Sequence, residues 1–164
     1  MQERIDVAFV SRRNSLRSVL AEACLAHLGQ KRFLAYSCGQ PGQIARTVHP
    51  AAASALKSAG IPLPRTTPRS WDELTRMGSP QADFVITLDP SMGPLEPRWP
   101  GRPDEAVWPY PDLAASGDSE ETSHAAIQML HSLRRRLELL INLPLRGKDR
   151  AAVRSDIRDL AHMR

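Results

Sequence analysis

The chain has 164 residues, 41% of them hydrophobic, with 22 lysines and arginines against 18 aspartates and glutamates. That length suits a single domain with a core large enough for independent folding, and no apolar run is long enough for a membrane span. Two cysteines, Cys24 and Cys38, exclude a disulfide framework and are not spaced for a metal site, while a net charge of +4 is modest for a nucleic-acid binder.

In chain order, the charged start from Met1 to Asp6 runs straight into the apolar stretch Ile5 to Val10, so a secretory signal is not expected and a cytoplasmic location is. That stretch predicts a first strand buried on both faces. Leu16, Leu20, Cys24 and Leu28 recur every four residues up to Gly29, which predicts a helix with Cys24 as a buried structural thiol. A second strand is expected over Arg32 to Ser37, with Cys38 exposed in the turn that follows. Pro50 to Ala59 predicts a helix whose start is marked by His49 and whose end is marked by Gly60 and Pro62. Asp83 to Leu88 reads as a third strand. Asp89 to Pro109 holds Pro90, Pro94, Pro97, Pro100, Pro103 and Pro109, and predicts a stiff surface loop, with a short fourth strand near Ala106-Val107-Trp108. Ser119-Glu120-Glu121 opens a long helical pattern with Ile127, Leu130, Leu133, Leu137 and Leu140 on one face. Strands alternating with helices argue for an α/β layered fold.

The loop between the first strand and the first helix, residues 11 to 18, carries the most information. A strand that stops in a loop opening a helix gathers unpaired N–H groups at the positive end of the helix dipole, which favours an anion. Arg17, in the first turn, opposes that dipole and so asks for an anionic partner, to which its planar fork is suited. Arg12 and Arg13 either add to the attraction or face water.

The order Ser11-x-x-Asn14-Ser15-x-Arg17-Ser18 resembles the phosphate loop of low-molecular-weight protein tyrosine phosphatases and the related arsenate reductases, written Cys-x-x-Asn-Ser-x-Arg-Ser. Only the first position differs, with Ser11 where the family has its nucleophilic cysteine. The resemblance continues through Ser37-Cys38-Gly39, His49-Pro50-Ala51 to Ile61, Arg69-Ser70-Trp71-Asp72-Glu73-Leu74 and Asp83 to Leu88. Trp108-Pro109-Tyr110-Pro111-Asp112-Leu113-Ala114 resembles the loop carrying the family's general-acid aspartate, although Leu113 stands where a proline usually follows the acid. About residues 4 to 143 are covered.

That resemblance implies a single-domain, three-layer α/β fold with a central parallel sheet of about four strands flanked by helices and a phosphate loop after the first strand. It divides the chain into a phosphatase-like domain over 1–143 and a basic helical extension over 144–164. It implies phosphate-binding roles for Arg12, Arg13, Asn14, Ser15, Leu16, Arg17 and Ser18, with Asn14 holding the loop and Ser18 donating to the nucleophile. Asp112 is then the acid, or else a turn residue. Trp71 and Tyr110 are either pocket walls selecting an aryl phosphate or buried packing. No metal or cofactor is implied. The expected partner is phosphate or another oxyanion, a phosphotyrosine protein among the candidates. The proline-rich stretch carries no cysteine, so thioredoxin-coupled arsenate reduction is not expected.

Ser11 leaves three readings open. It is a natural residue of a phosphatase-like protein that binds without turnover, or an engineered replacement of cysteine that traps ligand, or the sign of weak or different catalysis. A serine hydroxyl is far less acidic than a thiol and needs an adjacent base, and none of His27, His49, His124, His131 or His162 belongs to a recognised base motif. A separate class of function rests on the late basic cluster Arg134, Arg135, Arg136, Arg146, Arg150, Arg154, Arg158 and Arg164. Asp149, Asp156 and Asp159 interrupt it, so a solvated helix is expected before a nucleic-acid surface. Ala151, Val153, Ile157, Leu160 and Ala161 offer a partial apolar stripe that would suit a homodimer.

Overall fold

The computed structural model describes residues 4–163 apart from 66, 77, 80, 114–119, 147 and 148. Ser119 as a helix start, Ala114 in the acid-loop stretch, Arg164 in the basic tail and the first three residues fall outside the described residues.

The chain runs β1 (Ile5–Val10), α1 (Arg17–Gly29), β2 (Phe33–Cys38), α2 (Pro50–Ser58), α3 (Asp72–Thr75), β3 (Phe84–Thr87), β4 (Asp104–Val107), α4 (Glu120–Leu140) and α5 (Arg150–Asp159). The four strands form one parallel sheet in the order β2-β1-β3-β4. Strand alternation sorts the core into two parts. Ile5, Val7, Phe9, Phe84, Ile86 and Ala106 pack in the larger cluster, with side chains of α1, α2, α4 and α5. Ala8, Val10, Tyr36, Cys38 and Val85 pack in a second cluster, with Trp71, Leu74, Met92 and Trp99. The fold is the expected α/β arrangement, and no helix of the described residues is long and apolar enough to cross a membrane.

Two local expectations need correction, and a third holds only in part. Cys38 is not exposed in a turn: it is fully buried, opposite Val10 in the ladder, and burial raises its thiol pKa well above the ordinary value. The second strand has to run this far because the Cys38 carbonyl accepts the Ser11 N–H at 3.2 Å, stitching strand to loop. The proline-rich stretch is not merely surface, since a 3-10 turn at Pro90–Leu95 and the following residues bury Met92 and Trp99 against the sheet. The tail helix is solvated over most of its surface, as expected, but not on every face. Val153 and Ile157, each 2% exposed, join the larger core cluster. The Trp108 indole N–H donates to the Ile157 carbonyl at 3.0 Å, and Arg150 and Arg154 both bond Asp104. The apolar stripe of α5 is therefore used within the chain. Cys24, as expected, is buried in α1, which pushes its thiol up to about 11.

Candidate anion site

β1 and β3 lie side by side at the middle of the sheet, so their C-terminal ends deliver two loops to one place. Crevices at the carboxyl ends of parallel strands are where ligands of open α/β sheets usually bind. After Val10 the chain turns through residues 11 to 16 into α1. Asn14 sits there at φ 53°, a left-handed conformation that asparagine tolerates better than most residues. Its side chain spans the loop: Nδ2 donates to Ser18 Oγ at 2.8 Å and Oδ1 accepts the Arg69 N–H at 2.9 Å. The outer carbonyls are also tied, with Arg12 O accepting from Gln40 N–H, Arg13 O from Ala45 N–H and Ser15 O from His49 N–H. Among the described residues no carbonyl takes the N–H groups of residues 12 to 16, and α1 has no side-chain cap. The loop thus presents donors at a helix N-terminus.

Gly39 sets how closely β2's exit approaches this loop. A Cβ there would lie 2.8 Å from the Arg12 carbonyl oxygen and 3.0 Å from the Asn14 nitrogen, both backbone atoms that cannot swing away. We expect Gly39→Ala to cost about 2 kcal/mol of stability, as overpacking typically does, and to weaken anion binding by displacing the loop. Urea unfolding of the variant with and without phosphate measures both effects, and an unchanged midpoint together with unchanged phosphate affinity contradicts them.

Arg17 is 4% exposed, and its charge is already met by the protein. Nη2 donates to Asp89 Oδ2 at 3.0 Å, Nη1 donates to the Tyr110 carbonyl at 3.1 Å, and Asp112 Oδ1 lies 3.6 Å from Nη2. Arg13 Nη1 reaches both oxygens of Asp112, at 3.0 and 3.2 Å. Arg12 Nη2 donates to Ser91 Oγ at 2.9 Å and stands 3.7 Å from Asp89. The anionic partner that Arg17 asks for is thus supplied from within, by side chains 72 and 95 positions away in sequence. Three guanidiniums against two carboxylates leave the site one positive charge in excess. Burial pushes the Asp89 carboxyl upward, but bonds from the Ser91 hydroxyl and N–H and the Arg17 guanidinium outweigh it and hold the carboxyl below its usual value.

Ser11 Oγ lies 2.6 Å from Ser18 Oγ, deep in the loop. Leu16 is packed in the core and Ser15 is buried beside it. The structure brings Ser11, Arg12, Arg13, Asn14, Arg17, Ser18 and Asp112 together. Tyr110 contributes its carbonyl, while its ring turns toward α4, where the hydroxyl meets Ser132 Oγ at 2.8 Å. Trp71 is 5% exposed within the second core cluster. His49 caps α2, its Nδ1 accepting the Ala51 N–H, and no histidine bonds Ser11 among the described residues. Sequence reasoning missed Asp89 and Ser91. The signal for Asp89 was present, an acidic residue directly after a buried strand and before proline, but only the neighbouring of β1 and β3 makes it meaningful.

Residues 6–94, more than half the chain, match the family model described as low molecular weight phosphotyrosine protein phosphatase. The chain belongs to this family. Among solved structures, an arsenate reductase in the phosphate-binding state is similar at 28% identity with a TM-score of 0.67, over 84% of this chain and 96% of that one. The arsenate reductase of Archaeoglobus fulgidus shares the fold at 23% identity with a TM-score of 0.65, over 84% of this chain and 99% of that one. The thioredoxin-dependent arsenate reductase of Corynebacterium glutamicum does so at 22% identity and a TM-score of 0.58, the match spanning 83% of this chain and 63% of that one. No curated protein matches by sequence. The matched segment includes the loop of residues 11 to 18 and most of the sheet around it, from Asp6 in β1 through β2 and β3. Asp112 and the C-terminal helices lie beyond the matched segment.

Proposed function

We propose that this family member binds phosphate or a phosphoaryl group in the loop of residues 11 to 18 and turns it over very slowly or not at all. The observation that carries this reading is the setting of Ser11. Its hydroxyl meets the hydroxyl of Ser18, which in turn accepts from Asn14, and no base reaches either oxygen among the described residues. A hydroxyl so placed has a neighbour that would suit a thiolate but, among the described residues, no base to take its proton. The loop N–H groups and Arg17 form the cradle, with Arg12 and Arg13 at its edge and Asp112 as the acid opposite. A phosphate would compete with Asp89 and Asp112 for Arg17, so binding is an exchange of anionic partners rather than the filling of an uncompensated charge. Thioredoxin-coupled arsenate reduction has no support in the cysteines, since both are buried.

Asp112 favours a second reading. Besides pairing with Arg13, Asp112 stands 3.6 Å from Arg17, where an acid for the leaving group would be needed, and this suits an active phosphotyrosine phosphatase in which Ser11 replaces the cysteine as a trap. The nucleic-acid reading of the basic cluster is weakened, because Arg150 and Arg154 are committed to Asp104.

Phosphate titration of the parent and Arg17→Lys tests the binding site itself. Lysine keeps the charge beside Asp89 but not the fork. Losing charged hydrogen bonds worth about 1.5–3 kcal/mol should weaken phosphate roughly tenfold or more. Equal affinities in a calorimetric titration would place the anion elsewhere.

A further inference from the structure

Arg136, on α4, is 93% removed from solvent by its 7% exposure and touches neither Arg17 nor Asp112, yet it joins the C-terminal segment to the stretch that carries the acid. Its Nη2 donates to the carbonyls of Ala161 and Met163, at 3.1 and 3.0 Å. Its guanidinium carbon lies 4.8 Å from the centre of the Tyr110 ring and 5.9 Å from that of Trp108. One turn earlier on α4, Ser132 holds the Tyr110 hydroxyl, so this helix grips the tyrosine at both its tip and its face. Trp108 is tied to the tail separately through the Ile157 carbonyl. On the other side, the Tyr110 carbonyl takes Arg17 Nη1, and Asp112 follows two residues later.

Stability alone does not account for Arg136. Its Nε and Nη1 are buried without a hydrogen-bond partner among the described residues. A buried guanidinium with unsatisfied donors costs more than an apolar side chain of similar size would at that position. Its flat face on an aromatic ring and its fork on two carbonyls instead connect three segments that are remote in sequence.

We infer that Arg136 is a positioning residue of the anion site, through which the C-terminal segment from Arg150 to Met163 holds Tyr110, and with it the Arg17 contact and the Asp112 loop, in place. This deepens the proposed function, resting on Arg17 and Asp112 belonging to that site. The segment then sets anion affinity without touching the anion, and a partner or change that detaches α5 would loosen the site.

The chain has two tyrosines, so a protein labelled with 3-fluorotyrosine gives two fluorine signals, and Tyr36→Phe assigns them. The tail is loosened far from Tyr110 by Arg150→Ala with Arg154→Ala, which frees Asp104. The Tyr110 signal is expected to shift or broaden on this change in the parent and to stay unmoved by it when Arg136→Met is already present. Phosphate affinity should fall about tenfold in Arg136→Met, within the usual range of coupling between sites, and recover in part in Arg136→Lys. If Arg136→Met fails to melt cooperatively, Arg136→Lys replaces it in both comparisons, with a reduced response expected in place of none. A Tyr110 signal indifferent to the tail in the parent overturns the coupling, and so does an equal response with and without Arg136. Failure of the parent to bind phosphate instead defeats the anion-site reading and leaves the fluorine comparison to decide the coupling by itself.

Discussion

Ser11→Cys is expected to hydrolyse a small aryl phosphate at least a thousandfold faster than the parent, roughly 4 kcal/mol of barrier. The parts that a thiol needs surround that position. Ser18 accepts from Asn14 Nδ2 and thus has its own proton free for the atom at position 11. A helix N-terminus and nearby guanidiniums lower a thiol's pKa enough to give thiolate at neutral pH, whereas the same field cannot bring a hydroxyl to alkoxide. With serine the reaction lacks an ionised nucleophile and with cysteine it has one, while Asp112 stands in the place proposed for the acid. The assay is release of the phenol, run on both proteins with Asp112→Asn in the cysteine background as control. Turnover by Ser11→Cys alone, suppressed by Asp112→Asn, establishes a competent site with a missing nucleophile. Silence in every variant means that the site has diverged beyond position 11 and is a binding site only.

The second large effect concerns Asp89, and its direction depends on the ligand. Asp89→Asn leaves the buried Arg17 without its closest counter-charge, and breaking a buried pair from one side typically costs about 3–5 kcal/mol. Asp112, 3.6 Å away and more exposed, offsets part of this, so about 3 kcal/mol is expected. Added phosphate should restore more stability to the variant than to the parent, because it meets a guanidinium freed of its strongest competitor. The acid limb of the stability curve gives a second readout. A carboxyl whose folded pKa lies below its unfolded value stabilises the fold above the unfolded pKa, about 4, and loses that contribution as pH falls through the folded pKa. The parent should therefore lose stability below about pH 4 more steeply than Asp89→Asn. Urea midpoints at pH 3, 4 and 7, with and without phosphate, test both halves. Parallel pH curves, or equal rescue by phosphate, would separate Asp89 from the anion site.

What could be read from the sequence was what depends on near neighbours. The run from Ile5 to Val10, the period of four in α1 and the spacing from Ser11 to Ser18 are local patterns, and each stands where local chemistry puts it. The readings that failed were settled by contacts across the chain. Cys38 looks like a turn residue after Tyr36-Ser37, yet the need to receive the Ser11 N–H keeps it in the sheet. Trp99, among prolines, reads as surface until the face of the sheet carrying Ala8 and Val85 has to be covered. The arginines of α5 do face solvent, but their pairing with Asp104 could not be read, because that partner is 46 and 50 positions away. Asp89 fits no short motif, and its meaning depends on β3 lying next to β1 rather than next to β2.

That strand order also governs how the site responds to partial opening of the molecule. The contacts that define it join Arg17 to positions 72 and 93 residues further on, and Arg13 to one 99 residues further on. Such closures are slow to form and are lost together when either middle strand separates from the other. An anion held there braces the ends of β1 and β3 at once, so its binding energy opposes every excursion that parts them, including excursions far from the loop. Occupancy of the loop would accordingly slow amide exchange along both central strands, well beyond the residues that touch the ligand.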